Sequence, residues 1–146
     1  MFIPLVAMSN NAVVSDTEQE SVSLSSYWSS NVARWSDLIL QYATEHSIDP
    51  DMIAAVMTME SGGNPDALSG SGAMGLMQVM PFHSCSSWEP EQNISCGVGI
   101  LAYYEGRAED WTRGLAAYNA GETGRDVYGR GYGYAEKVLA LYENSK

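Results

Sequence analysis

The segment MIAAVMTMESGG, Met52 to Gly63, runs apolar through Met52, Ile53, Ala54, Ala55, Val56, Met57 and Met59, and then carries a carboxylate, Glu60. Ahead of it, Asp49-Pro50 reads as an N-cap followed by proline at the first helical position, and Gly62-Gly63 reads as the stop. A helix from Pro50 to about Ser61 that is apolar on nearly every side belongs at the centre of a domain. Glu60 would end that helix, where the macrodipole is negative and the surroundings are apolar. Both features disfavour an ionised carboxylate, so its pKa is expected to be raised. A carboxyl that keeps its proton near neutral pH suits general acid catalysis. On periodicity alone, a helix-end glutamate pointing to solvent is the favoured reading.

Helical periodicity dominates outward from this segment, and no stretch alternates like a strand. Val32, Trp35, Ile39, Tyr42 and Ala43 share one face of a helix expected from Asn31 to His46. Gly70, Gly72 and Gly75 permit a tight backbone before a short helix expected at Leu76–Val79. Glu89-Pro90-Glu91 opens a helix whose Ile94, Val98, Leu101 and Tyr104 face the core, and Trp111–Ala120 forms another, closed by Gly121. GETGRDVYGRGYGY is expected as a loop, followed by a last amphipathic helix from Tyr134 to Asn144. The fold class is mainly α, with little or no β-sheet. A Ser-rich polar arm over residues 1–30 leads into a single domain over residues 31–146.

Composition narrows the function. With 18 Asp+Glu against 7 Lys+Arg the formal net charge is -11, which argues against a nucleic-acid partner. No apolar run approaches the length of a membrane-spanning helix. MFIPLVAM lacks the basic start of a signal peptide, the first basic residue being Arg34. Cys85 and Cys96, eleven positions apart, suit a local disulfide across a short loop. Two buried thiols, or a zinc site with His83 that lacks paired ligand spacing, are the alternatives. A disulfide would put the working protein outside the reducing cytosol.

Three further stretches bear on Glu60. Met77 and Met80 of GLMQVMP suit core filling, but Gln78 among them needs hydrogen-bond partners. Tyr118-Asn119 in AAYNAG suits a helix end, and Tyr134 in GYAEKVLALY suits a packing aromatic at a helix start. Together an acid, amides and tyrosines make the lining of a carbohydrate cleft. In order and spacing, MESGGNPDALSGSGAMGLMQVMP, PEQNISCGVGILAYY, LAAYNAG and YAEKVLALY resemble the soluble lytic transglycosylases (SLT), which share the goose-type lysozyme-like fold. The likeness covers roughly residues 48–142.

The resemblance implies a single-domain lysozyme-like enzyme that cleaves the β-1,4 bond between N-acetylmuramic acid and N-acetylglucosamine in peptidoglycan glycan strands. It puts Glu60 at the catalytic acid/base position with Ser61 beside it. Met77, Gln78, Tyr118 and Asn119 fall on substrate-contacting motifs, and Tyr134 on a tyrosine that orients the acid. No metal or cofactor is implied. Between Glu60 and Ser84 the only other carboxylate is Asp66, and Met80 stands where goose-type lysozymes carry an acid after GLMQV. That favours a non-hydrolytic route ending in a 1,6-anhydro ring, since hydrolases use two carboxyl groups. Asp66, or an acid from residues 89–91, would restore hydrolysis. A lysozyme, or a non-catalytic peptidoglycan-binding or structural component of a phage tail or secretion machine, is the alternative. The expected setting is periplasmic, extracellular or virion-associated, as a monomer or within a larger cell-wall-penetrating assembly.

Overall fold

The computed structural model describes residues 21–121 and 127–146. Its helices are α1 (Ser30–Ala33), α2 (Ser36–His46), α3 (Pro50–Ser61), α4 (Pro90–Arg107), α5 (Trp111–Ala120) and α6 (Tyr132–Asn144). A π-helical segment, Val127–Gly131, runs directly into α6. Among the described residues there is no strand; isolated antiparallel bridges join Leu68 to Met74 and Met74 to Val79.

The central helix is α3. Asp49 accepts the Asp51 amide at 2.9 Å, and Pro50 supplies a first-turn residue with no amide hydrogen to satisfy. Residues Pro50 to Met57 are buried, and Ile53 through Met57 are wholly enclosed. Each large apolar side chain buried this way contributes about 1.5–3 kcal/mol. Gly62, at φ 60°, ends the helix by donating to the Met57 and Thr58 carbonyls at 3.1 Å. Around α3 pack α1, α2 and α6, while α5 lies between α4 and α6 and α2 contacts α4.

Three elements differ from the expected pattern. The first helix is broken at Arg34–Trp35, because that turn lets the Arg34 guanidinium and the Trp35 indole both donate to the Gly63 carbonyl, at 3.2 and 3.1 Å. Leu76–Val79 is a tight turn rather than a helix. Gly75 and Gln78 take left-handed φ of 78° and 49°, and Met74 and Val79 exchange backbone bonds at 3.1 and 3.0 Å. The last helix starts at Tyr132, and Val127–Gly131 is helical where a loop was expected. Gly131 explains the close packing there, since a Cβ would stand 2.8 Å from the Ala116 carbonyl oxygen on α5. Residues 122–126 of that expected loop lie outside the described residues.

Within residues 21–30 the chain already joins the body. Trp28 is buried and donates to Asp51 Oδ1 at 2.7 Å, and the Ser25 amide donates to the same oxygen at 2.9 Å. Lys146 pairs with Asp51 at 3.1 Å and with Asp49 at 2.9 Å, and the Ser25 hydroxyl donates to the Ser145 carbonyl at 2.8 Å. A buried carboxylate needs this kind of compensation. Residues 1–20 of the expected arm lie outside the described residues.

Cys85 and Cys96 form a disulfide, with Cα atoms 5.6 Å apart, which ties the loop before α4 to the second turn of that helix and excludes the zinc reading. Among the described residues no cluster of His, Cys, Asp and Glu could hold a metal ion, and no helix is long and apolar enough to cross a membrane.

Candidate active site

A cleft of about 490 Å³ opens over the C-terminal end of α3. Glu60, in the last turn of α3, forms part of its wall, so the carboxyl faces the cleft from an otherwise apolar helix. Burial raises its pKa to about 7, against a hydrogen bond from the Tyr134 hydroxyl to Oε1 at 2.7 Å that favours the charged form. Tyr134 comes from the first turn of α6 and is itself buried. Burial first, and then the Glu60 charge, hold the Tyr134 phenol well above the ordinary tyrosine value, so it remains a donor throughout the working pH range.

Gln78, Val79 and Met80 line the same cleft, and the GLMQ turn that leads into them is fixed from three sides. The Ser61 hydroxyl donates to the Leu76 carbonyl at 2.7 Å, locking the turn to the end of α3. The Tyr118 hydroxyl, from α5, donates to the Met77 carbonyl at 2.7 Å. Burial and then the Glu60 charge keep that phenol protonated as well. Asn93, fully buried on α4, accepts the Met77 amide at 2.8 Å and donates to the Met74 and Ser87 carbonyls at 2.9 Å. Gly97, one turn along α4, leaves room for Met77, whose Cβ would overlap any Cβ placed there.

The expected site residues therefore separate by task. Glu60, Gln78, Tyr118 and Asn119 line the cleft, and Tyr134 touches it through Glu60. Gln78 spends both amide hydrogens on the Ala67 and Gly75 carbonyls, at 3.0 and 3.1 Å, so its oxygen is the group it can offer a ligand. Asn119 Oδ1 is buried without a hydrogen-bond partner among the described residues, which suits an acceptor waiting for a ligand N–H or O–H. Met77 and Ser61, expected among the substrate contacts, do not line the cleft: Met77 is enclosed in the core, and Ser61 binds backbone. Cys85 sits on the loop that carries Phe82 and His83 into the cleft wall, and its disulfide to Cys96 holds that loop to α4.

Residues not expected in the site from the sequence complete the lining. Phe82, 76% exposed, stands at the rim and offers an aromatic face, with Tyr104, His83 and Arg130 nearby. Asn93 was also missed. Its signal was an amide in register with Gly97, Ile100, Leu101 and Tyr104 on the inward side of α4, where a polar group must be bonded. Among the described residues Glu60 is the only carboxylate lining the cleft. Asp66 is exposed in a turn outside it, and Glu91 faces a neighbouring hollow.

A helical domain with a proton-holding carboxyl set among amides and tyrosines suits a carbohydrate-binding cleft. The Transglycosylase SLT domain family model matches residues 37–137, and the chain belongs to this family. It is 34% identical over 115 residues to a protein named transglycosylase from Enterobacteria phage PRD1, covering 75% of this chain and 43% of that one. It is 34% identical over 88 residues to an endo-type membrane-bound lytic murein transglycosylase A from Klebsiella pneumoniae, covering 49% of this chain and 43% of that one. The 70-kDa soluble lytic transglycosylase Slt70 of Escherichia coli superposes with a TM-score of 0.63 at 28% identity, over 75% of this chain and 23% of that one. An inactive mutant of the lytic transglycosylase Slt of Pseudomonas aeruginosa gives a TM-score of 0.64 at 24% identity over the same shares, a likeness of fold. The chain spans less than half the length of these curated relatives.

Proposed function

We propose that this chain cleaves peptidoglycan glycan strands as a lytic transglycosylase, with Glu60 as the single acid and base. The observation that carries this reading is the Glu60 carboxyl, held by Tyr134 and raised to about 7, in a cleft whose described lining has no second carboxylate. Protonated Glu60 gives its proton to the glycosidic oxygen as the bond to the muramic anomeric carbon breaks, with the neighbouring N-acetyl oxygen sharing the positive charge. Glu60, now ionised, takes the proton of the muramic C6 hydroxyl, whose oxygen bonds to the anomeric carbon. The ring closes as a 1,6-anhydro sugar, no water is consumed, and Glu60 is protonated again. Gln78 and Asn119 supply acceptors for sugar hydroxyl and N-acetyl N–H groups. The disulfide fits action outside the cytosol, at a cell wall reached by export or from a virion.

Mass spectrometry of digested peptidoglycan tests the reaction. Muropeptides one water lighter than hydrolysis products are expected, and reducing muramic ends would make the protein a lysozyme. Tyr134→Phe tests the support of the acid. Losing a bond to a charged group lowers activity about ten- to a hundredfold. Because that bond favours ionised Glu60, its loss raises the Glu60 pKa further. The alkaline fall of the pH–rate profile then moves upward, and a fall that moves downward or stays in place contradicts the assignment.

A further inference from the structure

A second hollow, of about 1050 Å³, lies beside the cleft and shares His83, Ile100 and Tyr104 with it as a common wall. Its other sides are α2, one face of α4 and the loop closed by the Cys85–Cys96 disulfide. Among the described residues, Glu91 is the one carboxylate that lines it; His46 and His83 line it as well, and no lysine or arginine does. The Tyr42 hydroxyl, from α2, donates to Glu91 Oε1 at 3.4 Å. Gln92, Ser84, Ser86 and Ser95 give the rest of the wall amide and hydroxyl groups. Such a hollow suits a polar, amide-rich ligand that ends in a cation, for which Glu91 is the counter-charge.

Uncross-linked peptidoglycan carries a group of this kind. Its peptide stems leave the muramic acid, and their diamino acid ends in a free ammonium, the cation of an otherwise anionic polymer. For a chain of net charge -11 the stem carboxylates are repelled at long range, so the ammonium is the favourable electrostatic partner. Three extended residues span about 10 Å, and because the cleft and the hollow share a wall, the hollow is the neighbour that a stem leaving a sugar in the cleft would meet. We infer that the hollow is a subsite for the ammonium-bearing end of an uncross-linked peptide stem, with Glu91 as its counter-charge. This rests on peptidoglycan being the substrate. It makes the enzyme sensitive to cross-linking, because cross-links convert that ammonium into an amide.

Glu91 also lies in the first turn of α4, where a carboxylate complements the helix dipole, and the experiment must separate the two roles. Binding of a soluble muropeptide with a free diamino-acid amine is measured by calorimetry, for the wild-type chain and Glu91→Gln. The same muropeptide with that amine N-acetylated, and one without its stem, are compared. Glu91→Gln and N-acetylation are each expected to weaken binding about five- to tenfold, with no further loss when combined. The stem-free sugar is expected to bind both proteins equally. A loss in Glu91→Gln that is the same for all three ligands assigns Glu91 to the helix alone and overturns the subsite. No loss with the free amine overturns it too. Because binding is read without turnover, absence of anhydro products alongside the expected binding pattern would refute the transglycosylase reaction and leave the subsite standing.

Discussion

Glu60→Gln is expected to lose about a thousandfold or more of the cell-wall-lysing rate while melting at a higher temperature than the wild type above pH 7. The rate loss follows from removing the group that both gives and takes the proton, a role worth about 10²–10⁴-fold in other enzymes, with no second carboxylate among the described cleft residues to substitute. The gain in stability follows from the raised pKa. Burial lifts the Glu60 carboxyl to about 7 in the folded chain, from an ordinary value of 4.5. Between these values the folded state keeps a proton that the unfolded chain has released, so wild-type stability falls as pH rises through the window. Above pH 7 the accumulated loss is about 3 kcal/mol, and a neutral amide escapes it. Tyr134 can still donate to the amide oxygen. Melting curves at pH 8 should place Glu60→Gln about 5–10 °C above wild type, and the two should coincide near pH 4. A variant that is inactive but equally stable at pH 8 would mean that the carboxyl is not held protonated by its surroundings.

Gly63→Ala carries the largest expected loss of stability, about 3 kcal/mol or more. Gly63 has φ 82°, where an L side chain costs about 1–2 kcal/mol, and a Cβ there would overlap the Asn31 carbonyl on α1. That carbonyl is backbone, so it cannot move aside as a side-chain tip would. Relief would displace α1 and disturb the bonds that Arg34 and Trp35 make to the Gly63 oxygen. The neighbouring Gly62 is the control. Its φ is 60°, but nothing lies within 4 Å of an added Cβ, so Gly62→Ala should cost only the conformational part. Urea denaturation of the pair distinguishes the two causes. Equal losses at both positions would show that the approach to Asn31 contributes nothing. Since total stability of such a domain is about 5–15 kcal/mol, Gly63→Ala leaves a protein near its folding threshold.

The central helix was legible because its signals were local and agreed: an Asx cap, a proline, seven apolar residues and a glycine stop. The GLMQ turn was not, since Leu76 to Val79 has helical composition and only the packing of α3, α4 and α5 decides otherwise. Ser61, Tyr118 and Asn93 reach it from 15, 41 and 16 positions away in sequence. Long-range bonds of this kind leave no local period to detect. The same reason explains why Met77 was expected at the substrate: a motif marks a neighbourhood, while burial decides which of its side chains face it. Gln78, next in the chain, faces the cleft because its backbone adopts a left-handed φ. The break at Arg34–Trp35 was likewise invisible, being set by a carbonyl 28 residues further on.

The clasp of Ser25, Trp28, Asp51, Ser145 and Lys146 brings early and late parts of the described chain to one end of α3. Glu60 is at the other, nine residues of helix or about 14 Å away. Polypeptide fused to Lys146 departs from the side of the domain remote from the cleft. An immobilising tether attached there would leave the Glu60 end of α3 uncovered.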